Sequence, residues 1–337
     1  MIDKHLPLTS YPSYHPIHIT QIFSYFHKKR SAIKDKTQNI LSKLEFSYFD
    51  KCDIIIQCGT PVAWPNCYKC PWASRIWYEI IGRLKNKKLI FNIAAGSCYP
   101  WENQPELQNI NCHDKKYLKD IIDFCDLTTT RDKIAKNIFE NLCIKNIPIL
   151  PCTALFAGKN QVNYEKENLI IINYMKGGGH FKWDQKIDDL VWQNKTNELI
   201  KRLENKHKLI FICHNEEDLK ISKKLNSEIP AFMPRTAEEY VSLTSRASAA
   251  ICNRMHASVF LAGIGIPSIA VCTDTRLYMI ENIGLPNYYV NDVNVELLEY
   301  ILEELVSKTK IEEERLMELK RISKISYQNY IEEHLNK

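Results

Sequence analysis

The chain has 337 residues, 45% hydrophobic and 25% charged, an ordinary balance for a globular protein and enough length for two domains of about 150 residues. Lys and Arg (45) barely exceed Asp and Glu (40) and are interspersed with them, for a net charge of +5, which excludes a dedicated nucleic-acid surface. No apolar run reaches the length of a membrane span, and Met1-Ile2-Asp3-Lys4-His5 leads into no apolar signal region, so a cytoplasmic protein with at most peripheral membrane contact is expected.

Residues 1–17 are rich in Pro and Tyr and read as an extended arm. Ile19, Ile22, Phe23 and Phe26, then Ile33, Ile40, Leu41 and Leu44, fit one or two amphipathic helices. A buried strand at 52–57 is stopped by Gly59 and Pro61, and an aromatic-dense loop covers 62–72. A helix capped by Ser74 follows, then a strand at 88–93 ending in Ala95-Gly96-Ser97, a helix at 115–124, a strand at 127–130, a helix to Cys143 and a strand at 147–150. Strands alternating with helices mean parallel βαβ units.

A second series starts after residue 158. It reads as strands at 169–174, 209–213, 231–233, 248–252 and 268–272, with helices at 184–203, 216–225, 236–245 and 257–264 between them. Residues 293–306 and 311–334 are helical, with Glu/Lys faces toward solvent. The expected organisation is an α/β fold of two Rossmann-like domains facing a cleft, residues 1–157 and 158–310, with helical extensions at both ends; the last helix, 311–337, is placed to cross back to the first domain.

Twelve Cys spread along a chain of this size read as buried thiols. Cys67-x-x-Cys70, with Cys58 and Cys98, would supply ligands for zinc. No second pair with clean spacing follows, so packing in the aromatic loop is the default and no metal is expected. Lys176-Gly177-Gly178-Gly179-His180 is a turn whose backbone N–H groups could wrap a phosphate. It lacks the Gly-Lys-Ser/Thr ending of a P-loop.

Arg254 and His256 fall between the strand at 248–252 and a small-residue helix, followed by Gly263, Gly265 and Pro267. Ligands gather at such strand ends, where helix N-termini favour anions. Arg131 and Arg276 follow two other strands. Arg suits phosphate and carboxylate because its planar fork donates two parallel hydrogen bonds.

The segment Arg254-x-His256-Ala257, its helix, and Gly265-x-Pro267 before the next strand resemble the signature of the polysaccharide pyruvyl transferase family. Cys58-Gly59, Thr130-Arg131-Asp132, Pro151-Cys152-Thr153-Ala154 and Asp274-Thr275-Arg276 agree in order, so the resemblance spans about residues 52–289. The family's usual opening strand and Gly-Asp loop are not found at the start of this sequence.

The resemblance implies a glycosyltransferase-B-like (GT-B-like) fold and a phosphoenolpyruvate-dependent enzyme. It would join pyruvate as a ketal to a sugar of a cell-surface polysaccharide or its lipid-linked oligosaccharide precursor, with no cofactor beyond that donor. His256 is then the general acid, its ordinary pKa near 6.5 suiting it to give and accept protons, and Arg254 holds phosphate or carboxylate. Arg131 reaches the anion from the opposite wall, Arg276 assists, and Gly177, Gly178, Gly179 and His180 line the cleft. Competing readings are a glycosyltransferase using a nucleotide sugar and a non-catalytic binding protein of the same fold.

Overall fold

The structure, a computed structural model, describes residues 46–47, 49–70, 76–143, 146–158, 165–179 and 183–335. The expected N-terminal arm and most of the helical region after it, the Ser74 cap and His180 lie outside these residues. Contacts cluster into two units, residues 1–55 with 69–88, and residues 56–68 with 89–337. In the first, a helical segment over Ile76–Ile81 continues through Gly82–Leu84. It buries Trp77, Ile80, Ile81 and Leu84, and the Arg83 guanidinium lies 4.4 Å from the centre of the Phe46 ring.

The second unit holds two sheets. The first contains β1 (Ile54–Cys58, of which residues 56–58 belong to this unit), β2 (Pro61–Ala63), β3 (Leu89–Ser97) and β4 (Leu127–Thr130). β3 is its centre, with β2 and β4 parallel to it. From Ile90 to Ser97 every residue of β3 is buried, as a continuous apolar run covered on both faces requires. The strand therefore runs beyond the expected end at Ile93, through Gly96. The strand expected at 147–150 reduces to one bridge, Thr130 with Ile149, because Pro148 cannot donate to a ladder. α1 (Cys112–Phe124) and α2 (Lys133–Cys143) flank β4 in the chain.

The second sheet takes β5 (Leu169–Asn173), β6 (Lys208–Ile212), β7 (Ala231–Phe232), β8 (Ala249–Cys252), β9 (Ser268–Cys272) and β10 (Asn287–Tyr289) in the order β10-β9-β8-β5-β6-β7, all parallel. That is the doubly wound Rossmann order, and its switch point lies between β5 and β8. Alternation along β5 divides the core. Ile170 and Ile172 pack with α3 (Asp189–Leu203) and α8 (Val295–Ser307), while Ile171 packs with α5 (Ala237–Thr244) and α6 (Met255–Ala262). α4 (Glu216–Leu225) and the short α7 (Leu277–Glu281) complete the connections.

The last helix, α9 (Thr309–Leu335), reaches both sheets. Leu316 joins the core of the second, and near the other end Tyr327 Oη donates to Pro151 O at 2.6 Å. The expected boundary at 157/158 adjoins residues 159–164, outside the described residues. Among the described residues no helix is long and apolar enough to cross a membrane.

Candidate functional site

The switch point is clipped by two asparagines. Asn173, ending β5, donates from Nδ2 to Ile212 O (2.8 Å) and accepts Arg254 N at Oδ1 (2.9 Å). Asn253, just past β8, donates to Val271 O (2.9 Å) and accepts Met175 N (2.9 Å) and the Trp192 indole (3.2 Å). The carboxyl ends of β5, β6, β8 and β9 are thereby held in one frame. α6 begins at Met255, two residues before the start expected at Ala257, so His256 is in its first turn and Arg254 is the capping residue, without a side-chain cap. Gly263 ends this helix where a Cβ would lie 2.1 Å from Leu155 O. Glycine is what lets the Thr153–Phe156 turn pack on α6.

That turn and β4 bring in the opposite wall. Arg131, just past β4, is fully buried. Its Nη1 donates to Gly59 O, to Cys152 Sγ at 3.3 Å and to His256 Nε2 at 3.1 Å. A guanidinium has only donors, so Nε2 is the acceptor and the His256 ring is the neutral form protonated on Nδ1. Arg131 Nε and Nη2, also buried, have no hydrogen-bond partner among the described residues. They lie against Gly96, whose missing side chain makes room for them.

The electrostatics follow from this contact. Burial, then the charges of Arg131 and Arg276, push His256 down to about 3, the Gly59 carbonyl opposing them and His214 adding to them. The positive end of α6 acts in the same direction. Held below its ordinary value of about 6.5, the half-buried His256 is a neutral acceptor toward Arg131.

The other two arginines are paired. Arg254 makes a two-pronged contact with Asp218, Nε to Oδ2 at 2.8 Å and Nη2 to Oδ1 at 3.0 Å. Arg276 does the same with Asp274, at 2.8 and 2.7 Å. Arg254 thus packs with α4, and the group that meets Arg131 is His256. Asp132 turns away from the cleft, accepting Ser97 N (2.7 Å) and Ala135 N (2.8 Å). His214, past β6, presents its ring to Tyr240 edge-on at 5.7 Å and is pushed down to about 4 by burial and Arg254.

Loops from the two sheets are tied beside these groups. Ser97 Oγ and Thr275 Oγ1 are 3.0 Å apart, Tyr99 N donates to Thr275 Oγ1 (3.0 Å) and Trp101 N to Thr273 O (3.2 Å). Gly177 and Gly178 adopt positive φ (68° and 77°). Both are buried with Gly179, and a Cβ at Gly178 or Gly179 would strike Val290 or Thr273. Left-handed backbone at Gly177 and Gly178 and close packing at Gly178 and Gly179 account for glycine at these positions.

Cys67 donates to Asp114, which also accepts Asn66 N and Tyr68 N. No cluster of three or more metal-ligating side chains occurs among the described residues. Asp218, Asp274, Asn173, Gly59 and Gly96 were missed as site residues. Asp274 adjoins Arg276 in sequence and was within reach of inspection, whereas Asp218, distant from Arg254 in the chain, had no local signal.

The polysaccharide pyruvyl transferase family model matches residues 4–274, beginning well before Cys52 and so including the segment in which no opening strand was found. Among curated proteins none matches the sequence. A structure assigned as a UDP-N-acetylglucosamine 2-epimerase from Listeria monocytogenes superposes with a TM-score of 0.52 at 13% identity, over 89% of this chain and 79% of that one. The UDP-GlcNAc 2-epimerase from Neisseria meningitidis bound to UDP-GlcNAc covers 95% and 90% at TM-score 0.48 and 14% identity. E. coli heptosyltransferase WaaC with ADP-2-deoxy-2-fluoro heptose covers 78% and 77% at 0.41 and 11%. Likeness at such identities speaks for the fold alone, which is α/β and GT-B-like.

Proposed function

The chain belongs to the polysaccharide pyruvyl transferase family, and from that premise we propose that it moves the enolpyruvyl group of phosphoenolpyruvate onto two hydroxyls of a sugar, forming a ketal and releasing phosphate. The observation that carries this reading is the buried Arg131 guanidinium, whose Nε and Nη2 have no hydrogen-bond partner among the described residues, set against His256 at the start of α6. Such a pair suits an anion that arrives with a reaction centre needing a proton.

In this scheme the donor's phosphate engages Arg131, and His256, once protonated, delivers its proton to the methylene carbon. C2 then carries the positive charge and one acceptor hydroxyl adds to it, losing its proton to the now neutral His256. The C2–O bond to phosphate breaks next, the second hydroxyl closes the ketal, and its proton leaves with phosphate or solvent. Arg254 and Arg276 support the turn through their carboxylate partners, and the buried glycine turn backs the cleft wall. The acceptor is a sugar of a surface polysaccharide or its lipid-linked precursor.

Calorimetric titration tests this directly. Phosphoenolpyruvate is expected to bind the wild type and to lose at least about tenfold in affinity in Arg131→Ala, a charge-assisted contact being worth about 1.5–3 kcal/mol. Binding of a nucleotide sugar with none of phosphoenolpyruvate would overturn the reading in favour of glycosyl transfer.

A further inference from the structure

Of the three arginines at the carboxyl ends of these strands, two carry carboxylate partners in direct two-pronged contact, Asp218 on Arg254 and Asp274 on Arg276. Among the described residues Arg131 hydrogen-bonds a carbonyl, a thiol and an imidazole. Its neighbour Asp132 spends its carboxylate on two backbone N–H groups. Among the described residues, Arg131 is therefore a guanidinium without a carboxylate in contact, and beside it is a neutral ring held as an acceptor. A second positive charge exists there only if His256 takes up a proton.

We propose that this cleft selects dianions of the phosphate class and binds each together with one proton, which His256 takes from solvent. The inference rests on the anion-site reading above and specifies its charge. An anion placed on Arg131 Nε and Nη2 gives Nη1 reason to leave Nε2, which becomes free to be protonated and to donate to the anion. The charged and titratable groups acting on His256 are Arg131 after β4, Arg276 after β9 and His214 after β6; Cys152 accepts from Arg131, Asp274 is paired with Arg276, and Arg254 at His256's own turn is paired with Asp218 of α4. The cations nearest it oppose its protonation. Only a bound ligand of opposite charge reverses that balance.

Sulfate is the decisive probe, because it is a dianion that brings no proton of its own near neutrality. Calorimetry at pH 7.5 in buffers of different ionisation enthalpy is expected to show about one proton taken up per sulfate. Affinity should fall about tenfold per pH unit above neutrality, as linkage to one proton requires. Phosphoenolpyruvate should bind in the same way, acetate much more weakly. In His256→Gln, checked for folding by thermal melting, proton uptake disappears; histidine ¹⁵N resonances of the wild type with and without sulfate report the same event without a variant. Sulfate or phosphoenolpyruvate binding with no proton uptake overturns this inference and leaves the proposed donor standing. Acetate binding as well as sulfate overturns the selection of dianions, and failure of all three anions to bind overturns both readings.

Discussion

Gly96→Ala asks whether the position of one guanidinium governs the cleft. A Cβ at Gly96 would lie 2.3 Å from Arg131 Nε and 2.8 Å from its Cζ and Nη2, where ordinary contact begins at 3.4 Å. Gly96 is outside the left-handed region, so alanine brings no backbone strain. The guanidinium must retreat by about 1 Å, and being fully buried it has no solvent to swing into. That retreat disturbs the 3.1 Å contact with His256 and the unpartnered Nε and Nη2 together. Overpacking of this size costs about 1–3 kcal/mol, partly offset by about 0.4–1 kcal/mol from the stiffer unfolded chain. A net loss of about 1–2 kcal/mol in urea unfolding leaves the protein folded at 25 °C. Sulfate and phosphoenolpyruvate affinity, measured on that folded protein, should nevertheless fall by about tenfold or more, because the donors have moved. Wild-type affinity in a variant whose stability has dropped as expected would refute the assignment of Arg131 as the anion's anchor.

Two further outcomes follow from the charge pairs and the histidines. Arg254→Ala leaves Asp218 unpaired at 6% side-chain exposure and should cost about 3 kcal/mol or more in unfolding, most of it recovered in Arg254→Ala/Asp218→Ala; simple additivity in this double-mutant cycle would mean the pair is not coupled. His256 and His214 have folded pKa values, about 3 and about 4, below the unfolded value of about 6.5. Each therefore contributes stability that is complete above pH 6.5 and declines as pH falls, since only the unfolded chain takes up the protons. The melting temperature should drop between pH 6.5 and 5, above the carboxylate range, and drop less in His256→Gln; equal slopes would show that His256 is not held neutral.

The alternation of strands and helices was legible because parallel strands buried on both faces read as apolar runs, and β9 and α4 fall where the pattern puts them. Boundaries failed where tertiary contacts decide them. β3 continues through Ala95 and Gly96, and Gly96 leaves the space that Arg131 fills, a requirement imposed from residue 131 that no local pattern around residue 96 carries. Residues 147–150 have strand composition, yet Pro148 leaves them one bridge. The site divides in the same way. Residue types at strand ends pointed to Arg131, Arg254, His256 and Arg276, but which arginine meets the histidine and which are held by carboxylates depends on residues 36 and 125 positions apart.

That distinction changes the charge of the cleft, and its consequence can be weighed. Raising His256 from about 3 to above 7 takes a shift of roughly four units, or about 5.5 kcal/mol at about 1.4 kcal/mol per unit. One negative charge about 4 Å away, at an effective dielectric of about 20, supplies about 4 kcal/mol and falls short. Two supply about 8 kcal/mol and suffice. A phosphate dianion therefore favours the charged ring about twice as strongly as a monocarboxylate does, so that in the proposed scheme the proton needed at the methylene carbon is loaded by the binding of the donor that uses it. As Arg131's acceptor, His256 has no proton on Nε2 to donate.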